Sequence, residues 1–253
     1  MKKGIDGLIR QNGKVRDLNC TVSVNAGFAR AKTTEVYKPR FGNSWDEYRN
    51  AAVGRYQSIT WLYESIGQFQ SMEEINNYPF NIDGQGNRTM LPGDLIYKDF
   101  NNDGIISALD MRPLGYGRAT SSPWGWGTSR TGLPNLSYGM TINLSWKSFD
   151  MNVAAQGATM MTFIREWELR NPLQGDANSS NRVLTDSWHM QDIYAPSDNS
   201  WVAATYPAIR TTMATHSDGN KASTFWADNI TYLRLRNLDF GYNIPKKYLN
   251  KLG

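Results

Sequence analysis

Asp99, Asn101, Asp103, Gly104 and Asp110 stand in the pattern Asp-x-Asn-x-Asp-Gly-x5-Asp, the sharpest chemical signal in the chain. Oxygen-bearing side chains at loop positions 1, 3, 5 and 12, with glycine where the loop turns sharply, are what a calcium loop requires. Calcium takes about six to eight oxygens, so the backbone carbonyl of Ile105 and the hydroxyl of Ser107, directly or through water, are expected to complete the set. Asp110 stands where glutamate is usual, and its shorter reach weakens or reshapes the site. A metal-free Asn/Asp/Gly turn has the same composition. Calcium is the only cofactor the sequence suggests.

Other constellations carry less. The acidic pairs are Glu73/Glu74 and Glu166/Glu168. Neighbours at i,i+1 point apart, and a pair at i,i+2 shares a strand face without forming a cleft, whereas glycosidase carboxylates flank a scissile bond at a set distance. His189 and His216 have neither metal-ligand spacing nor a nucleophile partner, and the chain is not expected to be an enzyme. Trp61, Trp124, Trp126, Trp188 and Trp201 fall in or near polar segments, where an indole either stacks on a sugar ring or packs a loop. The single cysteine, Cys20, excludes an internal disulfide framework and reads as a small buried or lipid-facing side chain. A formal charge of +4 with scattered Lys and Arg describes a solvated surface, not a nucleic-acid partner.

Elements that would position these residues are strands. Residues 17–30 alternate: Leu18, Cys20, Val22, Val24, Ala26 and Phe28 share one parity, and Asn19, Thr21, Ser23, Asn25 and Gly27 the other. The stretch 136–157 repeats the pattern, with Leu136, Tyr138, Met140, Ile142, Leu144 and Trp146 apolar. After a tight turn at Lys147-Ser148, Phe149, Met151, Val153 and Ala155 continue that face. In 230–244, Leu233 and Leu235 differ in parity from Leu238, Phe240 and Tyr242, and a bulge near Arg236-Asn237 would realign them. A further strand is expected in 55–69 and a short helix in 71–79, ended by Pro79. The segments 31–54, 70–98, 111–135 and 170–229 are long and polar, which suits the extracellular loops of a barrel better than an ordinary compact domain. Frequent Trp, Tyr, Phe and Gly fit short strands, tight turns and aromatic girdles. No stretch approaches the roughly 18 apolar residues of a transmembrane helix, and MKKGIDGLIRQNGK lacks the apolar core of a signal peptide.

Four phrases resemble the SusC/RagA family of TonB-linked outer-membrane proteins of the Bacteroidetes. They are IGQFQSMEEINNYP at 66–79, GDLIYKDFNNDGIISALDMRPLGYG at 93–117, SYGMTINLSWKSFDMNVAAQG at 137–157 and ADNITYLRLRNLDFGYNIPKK at 227–247. They occur in the family's order, from about residue 15 to the end. Met111 departs from the family's usual Arg, and Asn229-Ile230-Thr231 from its Asp-Ala-Ser. An additional loop at Trp124-Gly125-Trp126 precedes the hairpin, and within 157–226 only Tyr206-Pro207 and Arg210 align.

The resemblance implies an all-β fold: a partial antiparallel transmembrane β-barrel with long extracellular loops. Residues 1–253 would form one part of a TonB-dependent receptor barrel domain, incomplete at both ends and without the plug. It further implies a cell outer membrane location and import of oligosaccharides or peptides. The implied partners are a SusD-like lipoprotein, the TonB complex, a glycan or peptide substrate, and outer-membrane lipid. From the residues alone, a secreted or periplasmic β-sandwich that holds glycan and is braced by calcium remains the alternative, since the same alternating strands would then face a second sheet.

Overall fold

The computed structural model describes residues 1–37, 40–57, 59–116, 134–165, 169–173, 178–194, 200–210 and 219–244. Its strands are β1 (Lys2–Val15), β2 (Leu18–Ala31), β3 (Ile59–Leu62), β4 (Ser65–Gln68), β5 (Leu95–Tyr97), β6 (Arg112–Tyr116), β7 (Leu136–Trp146), β8 (Phe149–Ile164), β9 (His189–Met190), β10 (Trp201–Val202) and β11 (Ala227–Tyr242). Three short helices accompany them: α1 (Ser44–Asn50), α2 (Met72–Asn77) and α3 (Asn181–Thr185). The fold is mostly strand, as expected. The chain divides into two compact units, one of Met1–Ser58, Tyr116–Thr162 and Asn229–Gly253, the other of Ile59–Gly115 and Phe163–Asp228.

The first unit is built on a five-stranded sheet of order β1-β2-β7-β8-β11. β1 pairs antiparallel with β2, β2 with β7 and β7 with β8. Contacts between Thr159 and Thr231 and between Asp150 and Asn243 run β11 antiparallel to β8. Two-residue hairpins close the pairs Val15–Leu18 and Trp146–Phe149. The first turn residue of each, Arg16 at φ 55° and Lys147 at φ 54°, takes the left-handed backbone such turns favour. Leu18 pairs with Trp146, so both tight turns lie at one end of the sheet. The long connections from β2 to β7 and from β8 to β11 leave from the other.

β1 lies outside the strands expected from sequence. From Ile5 onward its odd positions, Ile5, Gly7, Ile9, Gln11, Gly13 and Val15, do alternate with Asp6, Arg10, Asn12 and Lys14. Leu8 on the polar parity, and glycine and Gln11 on the apolar one, dilute the signal. On β11, Thr231 meets Thr159 on the face of Leu136, and Tyr242 packs on Phe149 on the same face. Thr231 and Tyr242 have opposite parity, so the alternation shifts phase once between them, as the bulge expected near Arg236-Asn237 requires.

The long polar segments contribute to a second unit with a core of its own. Leu62, Phe69, Ile75, Ile82, Met90, Leu95, Tyr97 and Trp226 are buried in it and form a core. The expected strand in 55–69 is two short strands, β3 pairing β6 and β4 pairing β5. The expected helix is α2, capped by Ser71, whose hydroxyl accepts from the Glu74 amide. Polar residues here satisfy backbone groups in place of a regular ladder. Asp83 accepts from the amides of Gln85, Asn87 and Thr89 and from the Thr89 hydroxyl. Aliphatic and aromatic residues spaced without period supply the apolar core, which is why periodicity does not reveal it.

Candidate functional site

The two faces of the large sheet differ in chemistry. Directly paired residues share a face. Ile5, Phe28 and Leu136 therefore start one row, and Ile9, Val24, Met140 and Ala155 continue it. Val22, Ile142 and Val153 follow, then Cys20, Leu144 and Met151. Val15, Leu18, Trp146 and Phe149 close the face at the tight turns. The apolar parities of four strands are thus in register. Cys20 is half-buried on this face and free.

That face is open. Ile5 is 78% exposed, Ile9 76% and Phe240 75%. From Leu18 to Phe28 the strand advances about 34 Å, and a tilt near 40° reduces this to a band about 26 Å tall, close to that of bacterial outer-membrane barrels. The end with the tight turns carries aromatics: Trp146 stacks on Phe149 with centroids 6.2 Å apart, and Phe149 lies 4.8 Å from Tyr242.

The opposite face is small and polar, with its side chains bonded across strands. The Thr21 hydroxyl donates to Asn12 at 2.9 Å, the Asn152 amide to Asn143 at 2.9 Å, and Arg236 to Gln156 at 2.8 Å. A cleft of about 370 Å³ on this side is lined by Asn19, Thr21, Asn143, Asp150, Asn152 and Asp239, among others.

The acidic loop lies in the second unit. Asp99 accepts from the amides of Asn101, Asn102 and Gly104. Burial raises its carboxyl, but these amide bonds more than offset that and hold it below the usual carboxylate range. Asp103 accepts from the Ile105 amide at 2.8 Å and from the Asn101 side-chain amide at 2.8 Å. Asp110 is fully buried and clamps the loop, one oxygen on the Phe100 amide and the other on the Ser107 amide. Ser107 caps the short turn Ala108–Asp110 through the Leu109 amide. Asn102 at φ 58° and Gly104 at φ 81° supply the sharp bends. The loop is therefore held by amide-to-carboxylate bonds. Among the described residues, no group of three or more His, Cys, Asp or Glu is arranged to hold a metal ion.

Residues considered for other roles have structural ones. Glu74 accepts from the Gln70 amide at 2.6 Å at the start of α2. Trp188 is buried against Gly93, whose φ of 89° and absent side chain make room for it, so this indole is not available to a sugar. Trp61 and Trp201 are half-buried in β3 and β10. The His189 ring nitrogen lies 2.9 Å from the Ser187 carbonyl. Trp124, Trp126, Glu166, Glu168 and His216 lie outside the described residues. Sequence reasoning missed the buried ion pair of Asp94 with Arg210, although Asp94 stands in an aligned phrase and Arg210 is an aligned position.

Two features define the class to which this architecture is similar: an antiparallel sheet with one continuous open apolar face, and turn lengths that differ sharply between its ends. Among solved structures, the chain superposes on the RagAB peptide importer in its 'open-open' state with a TM-score of 0.57 at 15% identity, covering 98% of this chain and 23% of that one. A second RagAB peptide transporter structure gives 0.52 at 14% identity, again over 98% and 23%. In sequence, TonB-dependent receptor P3 of Formosa agariphila is 28% identical over 241 residues, 92% of this chain and 21% of the receptor. TonB-dependent receptor P39 of the same organism is 23% identical over 234 residues, 81% and 19%. No family model matches the chain. It spans about a fifth of the length of the curated relatives it matches. Sequence and fold together make the chain similar to a segment of TonB-dependent receptors. These relatives carry the names of receptors and importers, not of enzymes, in agreement with the non-enzymatic reading.

Proposed function

We propose that the five-stranded sheet is part of the wall of an outer-membrane β-barrel, within a TonB-dependent transporter. The observation that carries this is the apolar face, in register across strands and open along a height that fits a hydrocarbon core. In a barrel this face meets lipid and the polar face lines the lumen. The tight turns then lie on the periplasmic side and the second unit belongs to the extracellular connections. β1 and β11, the edges of the sheet, pair with further strands, since open edges leave backbone groups unpaired in hydrocarbon. A β-sandwich would require a second sheet over the apolar face. Among the described residues of the first unit, the large sheet is the one sheet present.

The cargo in this reading is oligosaccharide or peptide, taken up with a SusD-like lipoprotein and driven by the TonB complex. The likeness to a peptide importer and the four ordered phrases support it. A calcium ion in the 99–110 loop is a separate proposal, supported by the 1-3-5-12 spacing and by Asp99, Asn101 and Asp103 gathering on one turn. The test of function is fractionation and uptake. The protein should require detergent for extraction, copurify with a lipoprotein, and be needed for growth on an oligosaccharide or peptide source. A monodisperse soluble monomer obtained without detergent would favour the sandwich.

A further inference from the structure

At the end of the sheet away from the tight turns, the apolar face gives way to cations. Lys3 pairs with Arg30 and Ile5 with Phe28, and residues two apart on a strand share a side. Lys32 follows Arg30 by two and forms an antiparallel bridge with Tyr56. The Arg30 guanidinium lies 3.8 Å from the Tyr56 ring centroid, and the Lys32 ammonium 5.9 Å. The ring orients Arg30 by cation–π attraction. Its Nε is nonetheless buried with no hydrogen-bond partner among the described residues. Lys3, Ile5, Phe28, Arg30, Lys32 and Tyr56 line a cleft of about 540 Å³. Among the described residues, none of these three cations is paired with a carboxylate.

A cleft lined by three cationic side chains and two apolar ones fits a headgroup and chain of opposite character. We propose that this cleft binds a phosphate-bearing lipid. Arg30, Lys3 and Lys32 hold the phosphate, and an acyl chain lies over Ile5 and Phe28 toward Ile9 and Val24. The Arg30 fork matches phosphate oxygens in pairs, and the lysines add point charges that reach outward on flexible stems. This rests on the barrel reading, in which the apolar face meets lipid and the cations stand at headgroup depth. A free phosphate ion would use the same cations and leave Ile5 and Phe28 uncovered.

The test uses protein extracted from its own membranes in mild detergent, with native mass spectrometry counting retained lipid. The probes are phosphatidic acid, diacylglycerol with the same chains, and inorganic phosphate. Phosphatidic acid should be retained at least tenfold more than diacylglycerol, and inorganic phosphate should not be retained. The combined Lys3→Gln, Arg30→Gln and Lys32→Gln variant should lose that preference, while Arg10→Gln on the polar face should keep it. Equal retention by wild type and the triple variant would overturn the proposal, as would equal retention of diacylglycerol or retention of inorganic phosphate. Flotation of each preparation with liposomes separates the two claims and checks the variants. Wild type that does not float sinks the barrel reading, whereas wild type that floats without a phosphatidic acid preference sinks the lipid site alone.

Discussion

Tyr138 lies across Gly157: a methyl group built on Gly157 would overlap both the tyrosine ring and the Tyr232 carbonyl oxygen. The Tyr138 hydroxyl passes over this glycine to donate to that same carbonyl at 2.9 Å, linking β7 to β11 across β8. The contact satisfies a hydroxyl on the apolar face that lipid would leave unbonded. It covers a glycine that would otherwise weaken the strand.

Gly157→Ala is therefore expected to destabilise the sheet by about 1–3 kcal/mol, because both ring and backbone must move. Tyr138→Phe removes one hydrogen bond and should cost about 1 kcal/mol. Urea unfolding of the detergent-solubilised protein, followed by tryptophan fluorescence, checks the order. If Gly157→Ala proves the milder change, the close approach is not what holds these strands.

Asp94 and Arg210 form a buried ion pair in the second unit, where Asp94 also accepts from the Leu91 amide at 2.7 Å. Burial pushes the Asp94 carboxyl up to about 6, against the pull of Arg210 and of that amide. A folded value above the unfolded 3.8 means that the stability linked to this proton is full below about pH 4. It is lost as pH rises through about 6, on the order of 3 kcal/mol in all. Protection factors at the amides of residues 91–97, with hydrogen exchange corrected for its intrinsic rise with pH, should fall over that window in wild type and stay level in Asp94→Asn. Arg210→Met leaves the carboxylate buried without its partner and should cost about 3–5 kcal/mol near neutral pH.

For the 99–110 loop, calcium binding predicts that Asp103→Ala weakens affinity at least tenfold, leaving Asp99 and Asp110 without a ligand between them. Since amide bonds hold the Asp99 carboxyl below the usual range, it stays ionised as pH falls through that range, so its own protonation does not oppose the ion there. Calorimetric titration of wild type and variant measures the difference. Identical isotherms would reduce the motif to an Asx turn held by its own amides.

Much of the sheet was legible because its strands obey one rule over ten residues or more: Leu18 to Phe28 and Leu136 to Trp146 keep their parity throughout. β1 follows the rule with glycines at positions 7 and 13, where no side chain reports a face. The core of the second unit was not legible, since Phe69, Ile75, Met90, Tyr97 and Trp226 come together through turns and have no shared period. In sequence Asp83 looks like a surface carboxylate and Asp110 like a calcium ligand. The fold uses them as acceptors for backbone amides. Asp94 stands in an aligned phrase and Arg210 is an isolated aligned position, but 116 residues separate them and spacing gives no sign that they meet.

The most direct test of the central claim is a cysteine scan of β7 in the protein as it stands in the cell envelope, with Cys20 replaced by alanine. Single cysteines at Ser137, Thr141, Asn143 and Ser145 should react with a water-soluble maleimide admitted to the lumen. Those at Met140, Ile142 and Leu144 should stay unreactive until detergent dissolves the membrane. Equal labelling of both parities in intact membranes would contradict a membrane-spanning strand. So would protection of Met140, Ile142 and Leu144 that persists in detergent, which would place a second protein layer over that face.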